Sequence, residues 1–363
     1  MADEQSASYI VELLLQHAKV ENASDIHIDP GTSVTTIRFR IDGILYEKYT
    51  FNKNIHHEII SRIKILAHLR IDEHQAPQDG RFRITFNTSE HTDVRVSLLP
   101  SFHGETAVLR MLGNSARALS LHDLGLSDSD QQKITKVLQK SQGMILATGP
   151  TGSGKTTTLY TLLQKLNISD TSIITIEDPV EFEIAGVRHI QTNPRTGLTF
   201  AQGLRSIVRQ DPDIIMVGEI RDTETASIAV HTALTGHLLL STLHTINAAT
   251  TLPRFIDMHI DPYLIASTIE IIIAQRLIRK LCQQCLGKKC EACNKTGFKG
   301  RIGIYEVLVV SDAIRALIME KAPAHAIAAQ AVSEGMVSLI EDGLQKAAQK
   351  ITTPEEVINS LSY

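Results

Sequence analysis

Residues Met144–Thr156 read MILATGPTGSGKT, an apolar run that leads directly into a glycine-rich loop. The loop fits the pattern G-x-x-x-x-G-K-[ST], in which glycines let the backbone curl so that successive N–H groups point at phosphate oxygens. In this pattern Lys155 reaches the β- and γ-phosphates, and the Thr156 hydroxyl ligates Mg²⁺. The following segment, Thr156–Leu166, predicts a helix whose positive N-terminal end faces the same phosphates. The sequence therefore predicts binding of ATP or GTP by Gly149, Pro150, Thr151, Gly152, Ser153, Gly154, Lys155, Thr156 and Thr157.

The composition is that of a globular protein with room for two cores. The chain has 363 residues, of which 43% are hydrophobic, so two domains are expected. A net charge of −4 and an aromatic content of only 4% argue against a dedicated nucleic-acid binder. The acidic, polar N-terminus is not a signal peptide, and the apolar stretch Tyr263–Gln275 is too short to span a bilayer. We therefore expect a soluble, cytoplasmic protein.

The first third of the chain has the pattern of a small α+β domain. Residues 1–112 combine two amphipathic helical segments with short strands, and Asp42-Gly43 is a hairpin turn signal. Residues 113–120 are small and polar, as expected of a linker. The predicted elements are the helices Ser8–Lys19 and Ile55–Leu69 and the strands Val34–Ile41, Arg81–Phe86 and Asp93–Leu99.

Residues 121–363 alternate helical segments with continuous apolar strands, a pattern typical of a parallel sheet covered on both faces. The predicted fold is therefore α/β, a RecA-like P-loop ATPase core that follows the smaller N-terminal α+β domain. A helical tail is expected over 311–363, where Thr353 would cap the last helix and Glu356 would close a capping box. The predicted strands are Met144–Thr148, Ser172–Ile176, Asp213–Val217 and Leu238–Leu243.

Two strand ends carry acidic residues that suit the chemistry of a metal-bound triphosphate. In DPDIIMVGEIRD (Asp211–Asp222), Gly218 stands where most P-loop proteins have Asp, and Glu219 follows. Glu219 is our candidate catalytic base, because a glutamate there can polarise the attacking water; the alternative is a strand-end residue that only faces solvent. In ITIEDPVE, Glu177 and Asp178 are candidates to hold Mg²⁺ or its waters, although such a motif is also an ordinary exit from a strand.

A third strand carries histidine at both ends. The segment TGHLLLSTLHT (Thr235–Thr245) places His237 and His244 on either side of an apolar core. A strand-end histidine is as often a structural hydrogen-bonding group as a catalytic one, so the motif alone leaves both interpretations open.

All four cysteines fall within twelve residues, as two C-x-x-C knuckles separated by LGKK. Two such knuckles supply four thiolates to one tetrahedral Zn²⁺. A disulfide is not expected in a cytoplasmic protein, and a redox pair is the remaining alternative. The predicted zinc ligands are Cys282, Cys285, Cys290 and Cys293.

Together these motifs resemble one family, the secretion ATPases of type II secretion and type IV pilus assembly. The order of Walker A loop, ITIEDPVE, VGEIRD and GHLLLSTLHT is characteristic of it. The segments ASDIHIDP, RFRIDG and PQDGRF resemble its second N-terminal domain, so the resemblance covers essentially the whole chain. Larger members carry a further N-terminal domain, and the sequence looks like a short form that begins after it.

The resemblance implies roles for individual residues. Glu219 would activate water, Glu177 would help to organise Mg²⁺, and His244 would sense or contact the γ-phosphate. Four arginines match those that approach the phosphates when a subunit closes, where delocalised cations stabilise the charge of the transition state. For each of them the alternative is a surface or domain-interface salt bridge. They are Arg81, Arg95, Arg205 and Arg209.

The cysteines bear on the branch of the family. Assembly and secretion members carry a tetracysteine, usually with a longer insertion, whereas retraction-type pilus ATPases normally lack it. The resemblance thus implies a Mg²⁺-dependent, ATP-hydrolysing homo-hexameric ring. Such a ring would drive an inner-membrane platform protein, and indirectly pilin or pseudopilin, while associating peripherally with the inner face of the cell membrane.

Two other functions remain open from the sequence. A nucleic-acid translocase could be built on the same core, and eight Lys or Arg lie within Arg276–Arg301, although the acidic net charge disfavours this alternative. A nucleotide-gated regulator with negligible turnover is the second alternative, which the intact set of catalytic motifs disfavours.

Overall fold

The computed structural model describes residues 6–87, 90–112 and 119–362. The chain divides into two compact units, Met1–Arg117 and Ala118–Tyr363. Most of the predicted linker 113–120 lies outside the described residues. No helix in the described part of the chain has both the length and the apolar character needed to cross a membrane.

The N-terminal unit is an antiparallel six-stranded sheet in the order β3-β2-β1-β6-β5-β4, packed against two helices. The predicted hairpin turn is confirmed, because Asp42 and Gly43 both have positive φ, as a two-residue turn between twisted strands requires. Helix α2 ends three residues before the predicted Leu69. The elements are α1 (Ala7–Val20), β1 (Asp25–Pro30), β2 (Val34–Ile41), β3 (Ile44–Asn52), α2 (His56–Leu66), β4 (Gln78–Asn87), β5 (Glu90–Ser101) and β6 (Gly104–Leu112).

The second unit is built on a seven-stranded sheet in the order β13-β12-β7-β11-β10-β8-β9. Its four predicted strands are confirmed as parallel neighbours. At one edge the sheet extends beyond the predicted strands, because β12 lies parallel to β7 and forms a long antiparallel hairpin with β13. The strands are β7 (Gly143–Thr148), β8 (Ile173–Glu177), β9 (Arg188–Gln191), β10 (Ile214–Val217), β11 (Leu238–Leu243), β12 (Ile269–Leu281) and β13 (Phe298–Val309).

The sheet of the second unit is buried on both faces. Along β7, Met144 and Leu146 belong to one hydrophobic cluster, whereas Ile145 and Ala147 belong to the other. This alternation explains why the strand reads as a continuous apolar run. The helices are α3 (Leu121–Leu124), α4 (Asp128–Leu138), α5 (Lys155–Leu166), α6 (Phe200–Ile207), α7 (Thr223–Leu234), α8 (Thr251–Asp257), α9 (Pro262–Thr268), α10 (Asp312–Met319), α11 (Ala324–Ser333), α12 (Leu339–Ala348) and α13 (Pro354–Leu361).

The C-terminal tail is helical, and its last helix differs from the prediction in one contact. The Thr353 hydroxyl accepts the backbone N–H of Glu356 at 3.4 Å, so the predicted N-cap is confirmed. The predicted capping box was wrong, because the Glu356 carboxylate accepts Nε–H of Arg279 on β12 at 2.8 Å. A tertiary ion pair therefore takes the place of the local backbone bond.

Candidate functional site

The glycine-rich loop connects β7 to α5, as the sequence predicts. Two glycines are required by close approaches of Gln275 on β12: a Cβ on Gly149 would lie 2.4 Å from its carbonyl oxygen, and a Cβ on Gly154 would lie 2.7 Å from its side-chain nitrogen. Gly154 is left-handed, with φ of 88°, and stands immediately before α5. Thr156 is exposed in the first turn of this helix.

Lys155 is a buried cation that hydrogen-bonds its own loop. Its Nζ donates to the carbonyl oxygens of Gly149 at 2.8 Å and Pro150 at 3.1 Å. Burial lowers its pKa to about 8, with a further lowering by the charge of Arg276 and an opposing effect from Glu219. The Ser153 Oγ is also buried and has no hydrogen-bond partner among the described residues. A bound phosphate would compensate the buried charge of Lys155 and accept a hydrogen bond from the Ser153 hydroxyl.

The structure brings two of the predicted catalytic residues together. Glu219 lies two residues beyond β10, and His244 directly follows β11, so both stand where parallel strands end. The His244 Nε2 lies 3.3 Å from a carboxylate oxygen of Glu219, and the Arg221 Nε lies 2.6 Å from the same oxygen. The loop after His244 is tied to the start of the glycine-rich loop, because the Thr245 N–H donates to Thr148 Oγ1 at 3.0 Å.

Glu177 lies at the end of β8, and its carboxylate is surrounded by hydrogen-bond donors of the protein. Its carboxylate accepts hydrogen bonds from the Tyr160 hydroxyl, the Thr175 hydroxyl and His189 Nδ1. Only 3% of the residue is exposed. Its link to the nucleotide loop runs through Tyr160 on α5, and its contacts do not include Glu219.

The predicted phosphate-contacting arginines of the second unit lie at the surface, engaged with near neighbours. Arg205 forms an ion pair with Glu224 at 2.7 Å, and close to half of its side chain is exposed. Arg209 donates Nη1–H to the carbonyl oxygen of Arg205 at 2.8 Å. Neither contact includes Lys155 or Glu219.

The two predicted arginines of the N-terminal unit are directly opposite each other. Arg81 on β4 pairs with Arg95 on β5, and Arg95 pairs in turn with Arg110 on β6. The row continues to Asp25 on β1, whose carboxylate accepts Nε–H of Arg110 at 2.9 Å. Arg81 and Arg95 thus belong to one basic row on a single face of the sheet.

The four cysteines form one cluster that could hold a metal ion. Their sulfurs all lie within 4.8 Å of one another. The distances are 3.8 Å for Cys282–Cys290 and Cys285–Cys293, and 3.7 Å for Cys290–Cys293. Four sulfurs bound to one Zn²⁺ at about 2.3 Å are separated by about 3.8 Å, so the donor set fits zinc despite the short LGKK spacer.

Two residues that support the loop were missed from the sequence. Gln275 is 1% exposed; its Nε2 donates to the Ser153 carbonyl at 2.5 Å, and its Oε1 accepts from the Thr158 hydroxyl at 2.7 Å. Arg276 donates Nη2–H to the Ile246 carbonyl at 2.8 Å, within the loop that follows His244. The available signal was the polar pair that interrupts the apolar strand EIIIAQR next to the nucleotide loop.

Comparison with known proteins finds similarity to one family over nearly the whole chain. The sequence matches the family described as "Type II/IV secretion system protein" over residues 1–359. The type II secretion system ATPase E of Vibrio cholerae is 44% identical, with 96% of this chain and 74% of that protein aligned. The type IV pilus assembly ATPase PilB of Myxococcus xanthus is 42% identical, with coverages of 99% and 68%.

Solved structures show the same fold. The X-ray structure of the Legionella pneumophila ATPase DotB superposes with a TM-score of 0.78 at 25% identity, covering 100% of this chain and 98% of that one. The pilus retraction motor PilT, solved with bound ADP, gives a TM-score of 0.70 at 27% identity, with coverages of 97% and 96%.

Proposed function

The chain belongs to the type II/IV secretion system protein family, and we propose that it is an ATP-hydrolysing ring motor that powers type IV pilus assembly or type II secretion. The observation that carries the proposal is the convergence of Lys155, Glu219 and His244 where β7, β10 and β11 end. This edge of a parallel sheet is where α/β proteins bind ligands.

Each residue of the site would have a separate role in phosphoryl transfer. Lys155 would exchange its bonds to loop carbonyls for the triphosphate and neutralise its charge. Glu219, oriented by His244 and Arg221, would accept a hydrogen bond from the attacking water and align it with the γ-phosphorus. Thr156 and Glu177 would hold Mg²⁺ or its waters, and bound Mg²⁺ would withdraw charge from the phosphate oxygens.

Four arginines are proposed to complete the site in the assembled ring. Arg205 and Arg209 lie at the surface, each bonded to a near neighbour, and Arg81 and Arg95 share one face of the N-terminal sheet. On closure of the ring these arginines would exchange their present contacts for phosphate oxygens. We further propose a homo-hexamer at the cytoplasmic face of the inner membrane. It would act on a platform protein there and indirectly on pilin or pseudopilin, with Zn²⁺ holding the cysteine cluster.

The first experiment measures Mg²⁺-dependent ATP hydrolysis over a series of protein concentrations. The native chain is compared with Glu219→Gln and Lys155→Ala. Specific activity that rises with concentration and is lost in both variants supports a motor whose sites are completed in the ring. ATP binding without turnover at any concentration would instead support the regulator. Stimulation by DNA or RNA would support a translocase.

The second experiment tests the cellular process. A chromosomal Lys155→Ala substitution in the source organism is expected to abolish surface pili or the release of secreted proteins, while the amount of the protein stays unchanged. Normal pili and normal secretion would contradict the proposed function.

A further inference from the structure

We propose that Tyr160 and His189 are positioning residues that hold the Glu177 carboxylate in a single orientation beside the nucleotide site. The inference rests on the proposed function, because Glu177 is there assigned to the Mg²⁺-bound triphosphate. It assigns a role to two residues that had none from the sequence, and each supplies a separate hydrogen bond to Glu177.

The Glu177 carboxylate has donors on both oxygens. Oε2 accepts the Tyr160 hydroxyl, while Oε1 accepts the Thr175 hydroxyl at 2.6 Å and lies 2.9 Å from His189 Nδ1. A carboxylate accepts about four hydrogen bonds, so three fixed donors leave about one free lone pair. Both rotation of the carboxylate and its reach toward other groups are thereby restricted.

The hydrogen bonds of His189 define its tautomer. Its Nε2 lies 3.1 Å from the backbone nitrogen of Ile184, which can only donate, so Nε2 must be the lone-pair nitrogen. The ring proton is therefore on Nδ1, which faces Glu177. His189 thus acts as a neutral, directed donor, and its side chain is 7% exposed.

Tyr160 connects Glu177 to the nucleotide-binding helix. It lies on α5 five residues after Lys155, and its ring packs edge-to-face on Phe182 with centroids 4.4 Å apart. Its hydroxyl donates to Oε2 of Glu177, so a residue of the nucleotide-binding helix is bonded directly to the carboxylate. A displacement of α5 on phosphate binding would therefore be passed directly to Glu177.

Glu177 is also adjacent to the chain segment that carries Glu219. The Gly218 N–H donates to the Ile176 carbonyl at 2.8 Å. Glu177 and Glu219 are the residues that directly follow this hydrogen-bonded pair. Burial of a carboxylate costs free energy, because the charge loses its hydration. At Glu177 three hydrogen-bond donors compensate for this loss. A purely structural role would predict effects on stability alone.

The test compares two substitutions at position 189, each of which keeps the hydrogen-bonding group of a different imidazole nitrogen. His189→Asn retains a donor near the position of Nδ1, facing Glu177, whereas His189→Gln retains an acceptor near Nε2, facing Ile184. Tyr160→Phe removes only the hydroxyl. Tyr49→Phe is the matched control, because it removes a tyrosine hydroxyl that also contacts a histidine, His17, in the other unit.

We expect Tyr160→Phe and His189→Gln to lower kcat about 10- to 100-fold, the range seen when residues that hydrogen-bond to metal ligands are replaced. KM and the Kd for ATP should change less than about threefold. His189→Asn and Tyr49→Phe should stay within about threefold of native kcat. Nitrogen-15 chemical shifts should report the Nδ1–H tautomer of His189 in the native protein, independently of activity.

Other outcomes overturn the inference in distinguishable ways. Native kcat in Tyr160→Phe and His189→Gln, with Lys155→Ala inactive, rejects the positioning role while the proposed function stands. Equal losses in both His189 variants, accompanied by lower Tm, indicate a structural role and also reject it. No hydrolysis by the native chain at any concentration rejects both proposals. An Nε2–H tautomer contradicts the geometry itself.

Discussion

Lys155 donates a hydrogen bond from Nζ to the carbonyl oxygen of Gly149 at 2.8 Å, so the cation of the nucleotide loop is bonded to the loop's own backbone. Burial lowers the pKa of this lysine to about 8, because neutral carbonyl groups compensate a buried charge less well than water does. An anionic phosphate at the same position would favour the charged form.

This contact predicts proton uptake when ATP binds at alkaline pH. Without nucleotide, Lys155 loses its proton above about pH 8. A bound triphosphate would return the pKa of Lys155 toward the ordinary value of 10.5. Between these values binding takes up a proton, and Kd rises by up to about tenfold per pH unit. Titration calorimetry at pH 9 in two buffers of different ionisation enthalpy should give different heats. Equal heats would contradict the prediction, and measurements at pH 6.5 are the control.

The support of the loop by Gln275 gives a second prediction. Gln275→Leu leaves the Ser153 carbonyl and the Thr158 hydroxyl buried without this partner, at a cost of about 1–3 kcal/mol each. We expect a lower Tm and about a tenfold weaker affinity for ATP, since Ser153 lies within the phosphate loop. Gln275→Glu keeps the acceptor for Thr158 but not the donor for Ser153, so it separates the two bonds. Unchanged affinity in both variants would show that the loop needs no such support.

Gln275 also shows where the sequence was insufficient. The strands β7 and β11 were predicted closely, because a strand buried on both faces reads as a continuous apolar run. The run Tyr263–Gln275 is equally apolar but changes from helix α9 to strand β12 at Thr268. Hydrophobicity alone does not distinguish a buried helix from a buried strand, so the antiparallel edge of the sheet was missed.

The site follows the same division between local and distant contacts. The nucleotide loop and the cysteine knuckles each lie within about a dozen consecutive residues, so their patterns were visible in the sequence. The partners of Glu177 come from separate elements, Tyr160 from α5 and His189 from β9, and neither was predicted to contact it. Arg221 lies in the quoted segment VGEIRD, but its ion pair with Glu219 was not predicted. Such pairings depend on strand order, which the spacing of residues does not reveal.

The ion pair between Arg279 and Glu356 gives a third prediction. Both side chains are about 15% exposed, and Arg279 also stacks on the Phe298 ring, 4.2 Å from its centroid. Because the pair anchors the last helix to β12, Arg279→Ala and Glu356→Ala are each expected to lower the free energy of unfolding by about 1–2 kcal/mol. The double variant should cost less than the sum. Strict additivity in urea unfolding would show that the two residues do not interact.

The cysteine cluster gives the last prediction. Because three of the sulfur separations, at 3.7–3.8 Å, equal those around a tetrahedral Zn²⁺, the purified protein should hold one Zn²⁺ per chain, measurable by plasma mass spectrometry. Cys293→Ser, which removes a buried ligand, should abolish binding and lower Tm, because a structural metal contributes directly to folding. ATP affinity should change little, since no cysteine contacts the nucleotide loop in the described part of the chain. Ser362→Ala is the control, because it removes only an exposed hydroxyl, which donates to the Ile358 carbonyl at 2.9 Å at the end of α13. A metal-free protein with unaltered Tm in Cys293→Ser would favour the redox alternative.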